Sequence, residues 1–177
     1  MKLYVIRHGQ TDVNLNNIIN SWNDDDLNEA GIMEAEKIVD EIEKIDYDLI
    51  ICSPLTRTKH TANIINVKRK DIILDKRIIE RNAGELTKTS LTNIDKDDWW
   101  SLNPKYDYLD SETVHQVLSR ITAFIDEIKD KYFQKNIILV THGGVSKAIQ
   151  AYFYGIPKNN SLQQYKHKNC EIKVYKL

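Results

Sequence analysis

The sequence predicts an α/β protein, a layered sheet covered by helices, and two observations carry that prediction. Four short apolar runs, at residues 3–6, 49–52, 72–74 and 137–140, are rich in isoleucine and valine and too short to be helices, so they read as strands. Between them lie stretches whose apolar residues recur at helical spacing, and strands alternating with helices argue for α/β layering.

Bulk properties set the outer limits. At 177 residues the chain suits one domain, spanning 1–177, with a real core. Its 29% charged and 41% hydrophobic residues are ordinary for a soluble globular protein. A formal net charge of -1 gives no reason to expect nucleic acid or an anionic membrane as a partner. No apolar run approaches a bilayer span, and the N-terminus enters a strand without the basic-then-apolar pattern of a signal peptide. Cys52 and Cys170 do not make a disulfide framework, so a reduced, cytoplasmic protein is expected.

The elements follow in order. The first strand stops on Arg7-His8-Gly9, with the polar Gln10, Thr11, Asp12 and Asn14 behind it. An irregular stretch then carries Trp22 and the acidic triplet 24–26, which reads as a solvated loop. Asn28 caps a predicted helix with its apolar stripe at Ile32, Ala35, Ile38, Val39, Ile42 and Ile45. After the second strand, Ser53 and Pro54 read as the cap and first residue of another helix, which puts Arg57 in its first turn. A cation beside unpaired N–H groups is unfavourable unless an anion sits between them. Lys68-Arg69-Lys70 reads as a wet turn before the third strand. From residue 80 to 110 periodicity fails, and a long irregular segment in a compact domain is often a lid or binding loop; 85–110 is the candidate. Trp99 and Trp100 within it could cover a pocket, but packing on the core is the expectation. A long helix begins near Ser111, with one stripe through Val114, Val117, Ile121, Phe124, Ile125 and Ile128. The fourth strand ends in Thr141-His142-Gly143-Gly144, a helix follows over 145–154, and alternation over 171–175 suits a last strand.

Two strands thus end in the same kind of corner, an imidazole followed by glycine. If both belong to one sheet, His8 and His142 converge at its carboxyl edge, where α/β sheets bind ligands. Arg7 and Arg57 would join them. Two arginines and two histidines around helix N-termini make an anion pocket, and phosphate is its usual tenant.

The ordered set Arg7-His8-Gly9-Gln10-Thr11 with Asn14, Ser53-Pro54-Leu55-Thr56-Arg57, Glu80-Arg81 with Gly84, Ser111-Glu112-Thr113 and Thr141-His142-Gly143-Gly144 resembles the histidine phosphatase superfamily, also called phosphoglycerate mutase-like. The resemblance implies a three-layer α/β/α sandwich with a mostly parallel central sheet. It implies hydrolysis of a small phosphorylated metabolite by a histidine acid phosphatase-type phosphomonoesterase. His8 would be the nucleophile. Arg7, Arg57 and His142 would hold the phosphoryl oxygens, with Gly9, Gln10, Thr11, Asn14 and Gly143 lining the phosphate site. Glu80 would protonate the leaving alcohol, with Glu85 and Glu112 as rival carboxylates. No metal or cofactor is required, since the arginines supply the charge.

Ser111, the run Asp26-Leu27-Asn28, and His60 depart from the family pattern, all outside the central constellation. Cys52 and Arg57 are separated by four residues, where a cysteine phosphatase loop needs five, so Cys52 reads as a buried hydrophobe. A mutase is the nearest alternative, disfavoured because residues 86–110 contain no arginine. A phosphate-binding module without turnover is the alternative from another class.

Overall fold

The computed structural model describes residues 1–177. Strands β1 (Lys2–Arg7), β2 (Leu49–Cys52), β3 (Ile72–Leu74), β4 (Ile137–Thr141) and β5 (Ile172–Lys176) form one sheet in the order β3-β2-β4-β1-β5. All neighbours are parallel except β5, which runs antiparallel to β1.

The central strands are apolar throughout because both faces are covered. Side chains alternate between faces at a period of two. Leu3 and Val5, with Leu49, Ile51, Ile137 and Leu139, pack in one core together with the helices α6 (Val114–Lys131) and α7 (Gly143–Tyr154). Tyr4 and Ile6, with Ile50, Cys52, Ile138 and Val140, pack in another. That second core includes α2 (Glu29–Lys37), α3 (Val39–Lys44) and α4 (Thr56–Ile65), completing three layers. A third, smaller apolar cluster joins Ile19, Ala83, Trp99, Trp100, Val114 and Leu162. No helix is long and apolar enough to cross a membrane.

The predicted helices form, with local corrections. The stripe from Ile32 to Ile45 breaks at Ile38, so α2 and α3 are two short helices rather than one. The long helix α6 starts at Val114, where Thr113 and Gln116 close a reciprocal capping box. Residues 80–110 are not wholly irregular: they hold a short helix, α5 (Lys96–Trp99), and a 3₁₀ turn at Gly84–Leu86. A one-turn helix, α1 (Asp12–Leu15), follows the first strand.

The start of α4 differs most from expectation. The helix begins at Thr56, and Ser53 does not cap it. Asp24 does so from a distance, its carboxylate accepting from the Thr56 N–H and, at 2.9 Å, from the Thr56 hydroxyl. The acidic triplet is exposed, as a solvated loop should be, and also clasps α4, since Asp26 pairs with His60 at 2.8 Å. The exchange frees Ser53 for another task.

Candidate active site

Strand register brings the site together. Arg7 pairs with Thr141 and Cys52 with Val140, so one residue further along, His8 comes level with His142 and Ser53 with Thr141 at the carboxyl edge. The His8 N–H donates to the Thr141 carbonyl at 3.0 Å and the Ser53 N–H to that of Val140 at 3.0 Å, carrying the pairing into the corners. The rings of His8 and His142 lie edge to face with centroids 5.2 Å apart. Both are buried.

Each imidazole is oriented by a specific partner. His8 Nδ1 lies 2.7 Å from the Gly9 carbonyl oxygen. A carbonyl only accepts, so Nδ1 carries the proton and Nε2 keeps its lone pair. His142 Nε2 lies 2.7 Å from Ser53 Oγ, while its Nδ1 is buried without a partner. A Ser53 hydroxyl donating to Nε2 leaves the proton on Nδ1, as a buried donor awaiting an acceptor. Burial, then Arg57, then Arg7 hold His8 well below the usual imidazole range. Burial, followed by Arg57, does the same for His142. Both rings are therefore neutral near pH 7.

The arginines are held by backbone carbonyls, which fix the guanidinium without neutralising it. Arg57 donates to the carbonyls of Asn23 at 2.6 Å and Ser21 at 2.9 Å. Ser21 adopts a left-handed backbone, φ 53°. Arg7 donates to the His167 carbonyl at 3.0 Å. The Nε atoms of both arginines are buried without partners. Burial lowers both guanidinium pKa values, and Glu80 opposes it in each case. The loop at residues 167–170 also grips the corner: Asn169 Nδ2 donates to the His8 carbonyl at 2.7 Å and the Cys170 N–H to that of Arg7 at 2.9 Å.

Of these groups Arg7, His8 and Arg57 line a cavity of about 140 Å³ together with Asn14, Glu80 and Arg81, with Trp99 and Trp100 along its wall; His142 is fully buried and outside that lining. Glu80 accepts from the N–H of Arg81 at 2.8 Å and of Gly144 at 3.1 Å, the latter in the first turn of α7. Any Cβ on Gly144 would collide with that carboxylate. The rival carboxylates lie elsewhere. Glu85 is exposed outside the lining, and Glu112 is bound at 2.6 and 2.8 Å by Arg120.

Four of the five expected phosphate-site residues stand outside this cavity. Gly9 is a glycine because the Gly31 backbone, not a ligand, occupies the space a Cβ would need. Gln10 turns its side-chain oxygen to Asn28 Nδ2 at 3.1 Å. Thr11 is the buried cap of α1, exchanging hydrogen bonds with Asn14 at 3.2 and 3.3 Å. Asn14 itself does line the cavity, with its Nδ2 left as a free donor. Gly143 lies against Arg7 in an adjoining cavity.

Sequence reasoning missed Asn20, whose buried amide reaches the cavity with both polar atoms unpartnered. It lies in the aperiodic stretch after Asn14, where no local signal marks it. Arg81 was visible only as part of a motif. Its guanidinium lies 3.6 Å from the Trp99 ring centre, its Nε donates to the Glu112 carbonyl at 2.7 Å, and burial lowers it to about 10. The two tryptophans both pack in the third core cluster and wall the cavity. Burial pushes the Cys52 thiol up to about 12, which removes it as a nucleophile.

A mostly parallel sheet with paired histidine corners at its carboxyl edge defines the phosphoglycerate mutase-like fold. The chain belongs to the histidine phosphatase superfamily (branch 1), whose model matches residues 3–177. Phosphoserine phosphatase 1 of Hydrogenobacter thermophilus is 26% identical over 163 residues, 88% of this chain and 77% of its own. A second protein of that organism is 30% identical over 166 residues, 90% of this chain and 81% of its own. A mycobacterial glucosyl-3-phosphoglycerate phosphatase, solved with vanadate, superposes with a TM-score of 0.85 at 23% identity, covering 98% of this chain and 91% of that one.

Proposed function

We propose that this protein is a phosphomonoesterase acting on a small phosphorylated metabolite through phospho-His8. The neutral Nε2 of His8 attacks phosphorus, forming an N–P bond as the ester P–O bond breaks. Arg7, Arg57, Asn14 and the Nδ1–H of His142 hold the equatorial oxygens, whose charge the reaction redistributes. Glu80 takes up a proton when the dianionic ester binds and delivers it to the departing alkoxide. It then removes a proton from the water that attacks phospho-His8, which releases inorganic phosphate and restores the free imidazole. Gly9, Gln10 and Thr11 build the corner in this reading, rather than touching the phosphoryl group.

The observation that carries this reading is the buried pair of neutral imidazoles beside two arginines whose Nε atoms have no partner in the protein. A nucleophile held well below the ordinary histidine range also supports the narrower acid-phosphatase type, active in mild acid. Residues 85–110 supply Leu91, Trp99 and Trp100 to the wall, which supports a role in choosing the ester, within one domain spanning the chain. Both cysteines are free and buried, in keeping with the reduced cytoplasm.

The test is turnover of an aryl phosphate by the wild type and by His8→Ala, with trapping of an acid-labile phosphohistidine. His8→Ala should lose activity by about 10⁴-fold or more, as nucleophile removal does elsewhere. Equal turnover in both proteins removes His8 from its role, and ester binding without turnover in the wild type returns the binding module. Phosphoryl exchange between 3-phosphoglycerate and 2-phosphoglycerate, primed with bisphosphoglycerate and faster than hydrolysis, would establish the mutase.

A further inference from the structure

We infer that Ser146 and His167, a buried hydrogen-bonded pair behind the phosphate site, are positioning residues that aim the Arg7 guanidinium at the phosphoryl group. Neither lines the 140 Å³ cavity. The inference rests on the anion site of the phosphomonoesterase reading and names what holds one arm of it in place.

Arg7 is the less firmly tied of the two arginines. Arg57 donates to two carbonyls, whereas the single hydrogen bond of the Arg7 side chain within the protein goes to the His167 carbonyl at 3.0 Å. Its direction therefore depends on where that one oxygen stands. Residue 167 lies between a 3₁₀ turn (Leu162–Gln164) and β5, outside any strand ladder, so side chains must place it.

Those side chains come from α7, the helix that His142 leads into. Lys147 donates to the carbonyls of Tyr165 at 2.6 Å and Gln163 at 3.2 Å, and Gln150 Nε2 reaches that of Lys166 at 3.4 Å. Ser146 grips the next residue by its ring instead, with Oγ 2.6 Å from His167 Nδ1. That leaves the His167 carbonyl to Arg7. On the far side of the ring, Nε2 lies 2.8 Å from the Glu171 carbonyl oxygen. A carbonyl only accepts, so Nε2 carries the proton and the Ser146 hydroxyl donates to Nδ1. Gln150 Nε2 stands 3.4 Å from the same Oγ as a further donor.

Packing alone would be served by two apolar side chains, since burying a hydroxyl and an imidazole carries a desolvation cost that neutral hydrogen bonds roughly offset. What the pair adds is direction. A ring bonded at both nitrogens has one orientation, while an apolar side chain of that size is free to turn or slide. Burial pushes the imidazole down to about 4, so near neutral pH it keeps one charge state and one tautomer. Helix α7 thus sets His142 at its start and, one turn on, the anchor of Arg7.

The test is calorimetric titration of the full chain with inorganic phosphate, in the wild type, Ser146→Ala and His167→Leu, each checked for its native fold by circular dichroism. We expect Kd to rise about fivefold or more in both variants, the scale of weakening one charge-assisted hydrogen bond. In an Arg7→Ala background the same changes should raise Kd by less than about twofold, because the group they aim is gone. His167→Asn, whose amide oxygen replaces Nδ1 as the acceptor for Ser146, should recover most of the affinity lost in His167→Leu. Unchanged affinity in either folded single variant overturns the inference. So does a loss of equal size with and without Arg7, which would make the pair a support of the fold alone. An asparagine variant no better than the leucine one overturns it too, by tracing the effect to ring volume. The titration needs no turnover. A wild type that binds phosphate but cleaves no ester fails the phosphatase reading only, and the titration still decides this one. A wild type that binds no phosphate fails both.

Discussion

The floor and the wall of the cavity are built on different principles. The floor consists of His8 and Arg57, with Ser53 and His142 buried beside them, at the carboxyl ends of three parallel strands and the start of α4, where ladder register, backbone carbonyls and, for His142, the Ser53 hydroxyl hold the side chains. The wall is the segment from Glu80 to Trp100, held by side chains: Arg81 against the faces of Trp99 and Trp100, and Trp99 edge-on to Tyr108 at 4.9 Å. Backbone-fixed groups hold a charge pattern that has little freedom to drift, which suits phosphoryl chemistry common to many esters. Side-chain packing can change residue by residue without disturbing a sheet, which suits the choice among esters.

Glu80 joins the two regions, and its removal should give the largest effect in this comparison. Its carboxylate is anchored both to the wall at Arg81 and to the floor at Gly144. Glu80→Gln keeps the shape and loses the transferable proton. We expect kcat for alkyl phosphates, whose leaving groups need protonation, to fall by about 10²- to 10⁴-fold. For p-nitrophenyl phosphate, whose leaving group departs as a stable anion, the fall in the phosphorylation step should be much smaller. Equal losses for both substrates in single-turnover phosphorylation would deny Glu80 the role of acid.

A smaller contrast separates floor from wall directly. Ser53→Ala takes away the hydroxyl that orients His142 Nε2 at 2.7 Å, leaving a buried nitrogen unpaired. The loss should be about tenfold in kcat and nearly uniform across esters, the cost of one buried hydrogen bond. Trp100→Ala should instead reorder kcat/KM among esters by several-fold, because it removes part of the cavity wall and none of the phosphate-holding groups. If Ser53→Ala reorders substrates and Trp100→Ala slows all of them alike, the division between floor and wall is wrong.

The same division explains what could be read from the sequence. Strand runs and the imidazole–glycine corners are local, and register alone carries His8 to His142, so the floor was legible. The helix break at Ile38 and the capping of α4 by Asp24 were not, because the first depends on packing and the second on a partner 32 residues away. Ser53 shows the hazard of a purely local reading: serine before proline is a good helix start, yet its hydroxyl is used across the sheet. The wall was legible only as a gap in periodicity. Stacking of Arg81 on Trp99 leaves no spacing signature, and Asn20 enters the cavity from a loop that local rules do not describe.

The smallest expected effect on activity is a flat line, and it tests the floor most cleanly. An exposed histidine nucleophile loses its neutral form as pH falls through about 6.5. His8 is held below that value by burial and by the two arginines. Once corrected for the ester's own ionisation, kcat/KM should therefore stay level from pH 6.5 to 5.5, where an ordinary histidine would lose several-fold. The consequence of keeping these rings neutral appears in stability instead. His8, His142 and His167 are all buried with lowered pKa values, His167 to about 4 where it sits between Ser146 and the Glu171 carbonyl. Below pH 6.5 the unfolded chain takes up protons that the folded one refuses, so stability present at neutral pH is lost as pH falls toward the folded values. Each such histidine contributes a slope of up to about 1.4 kcal/mol per pH unit. Denaturation midpoints should thus drop steeply between pH 6.5 and 5 while activity in the native range holds level. A kcat/KM that declines through pH 6.5 alongside the stability would mean that the nucleophile's ring is open to solvent, and the contrast between a sheltered floor and an adaptable wall would go with it.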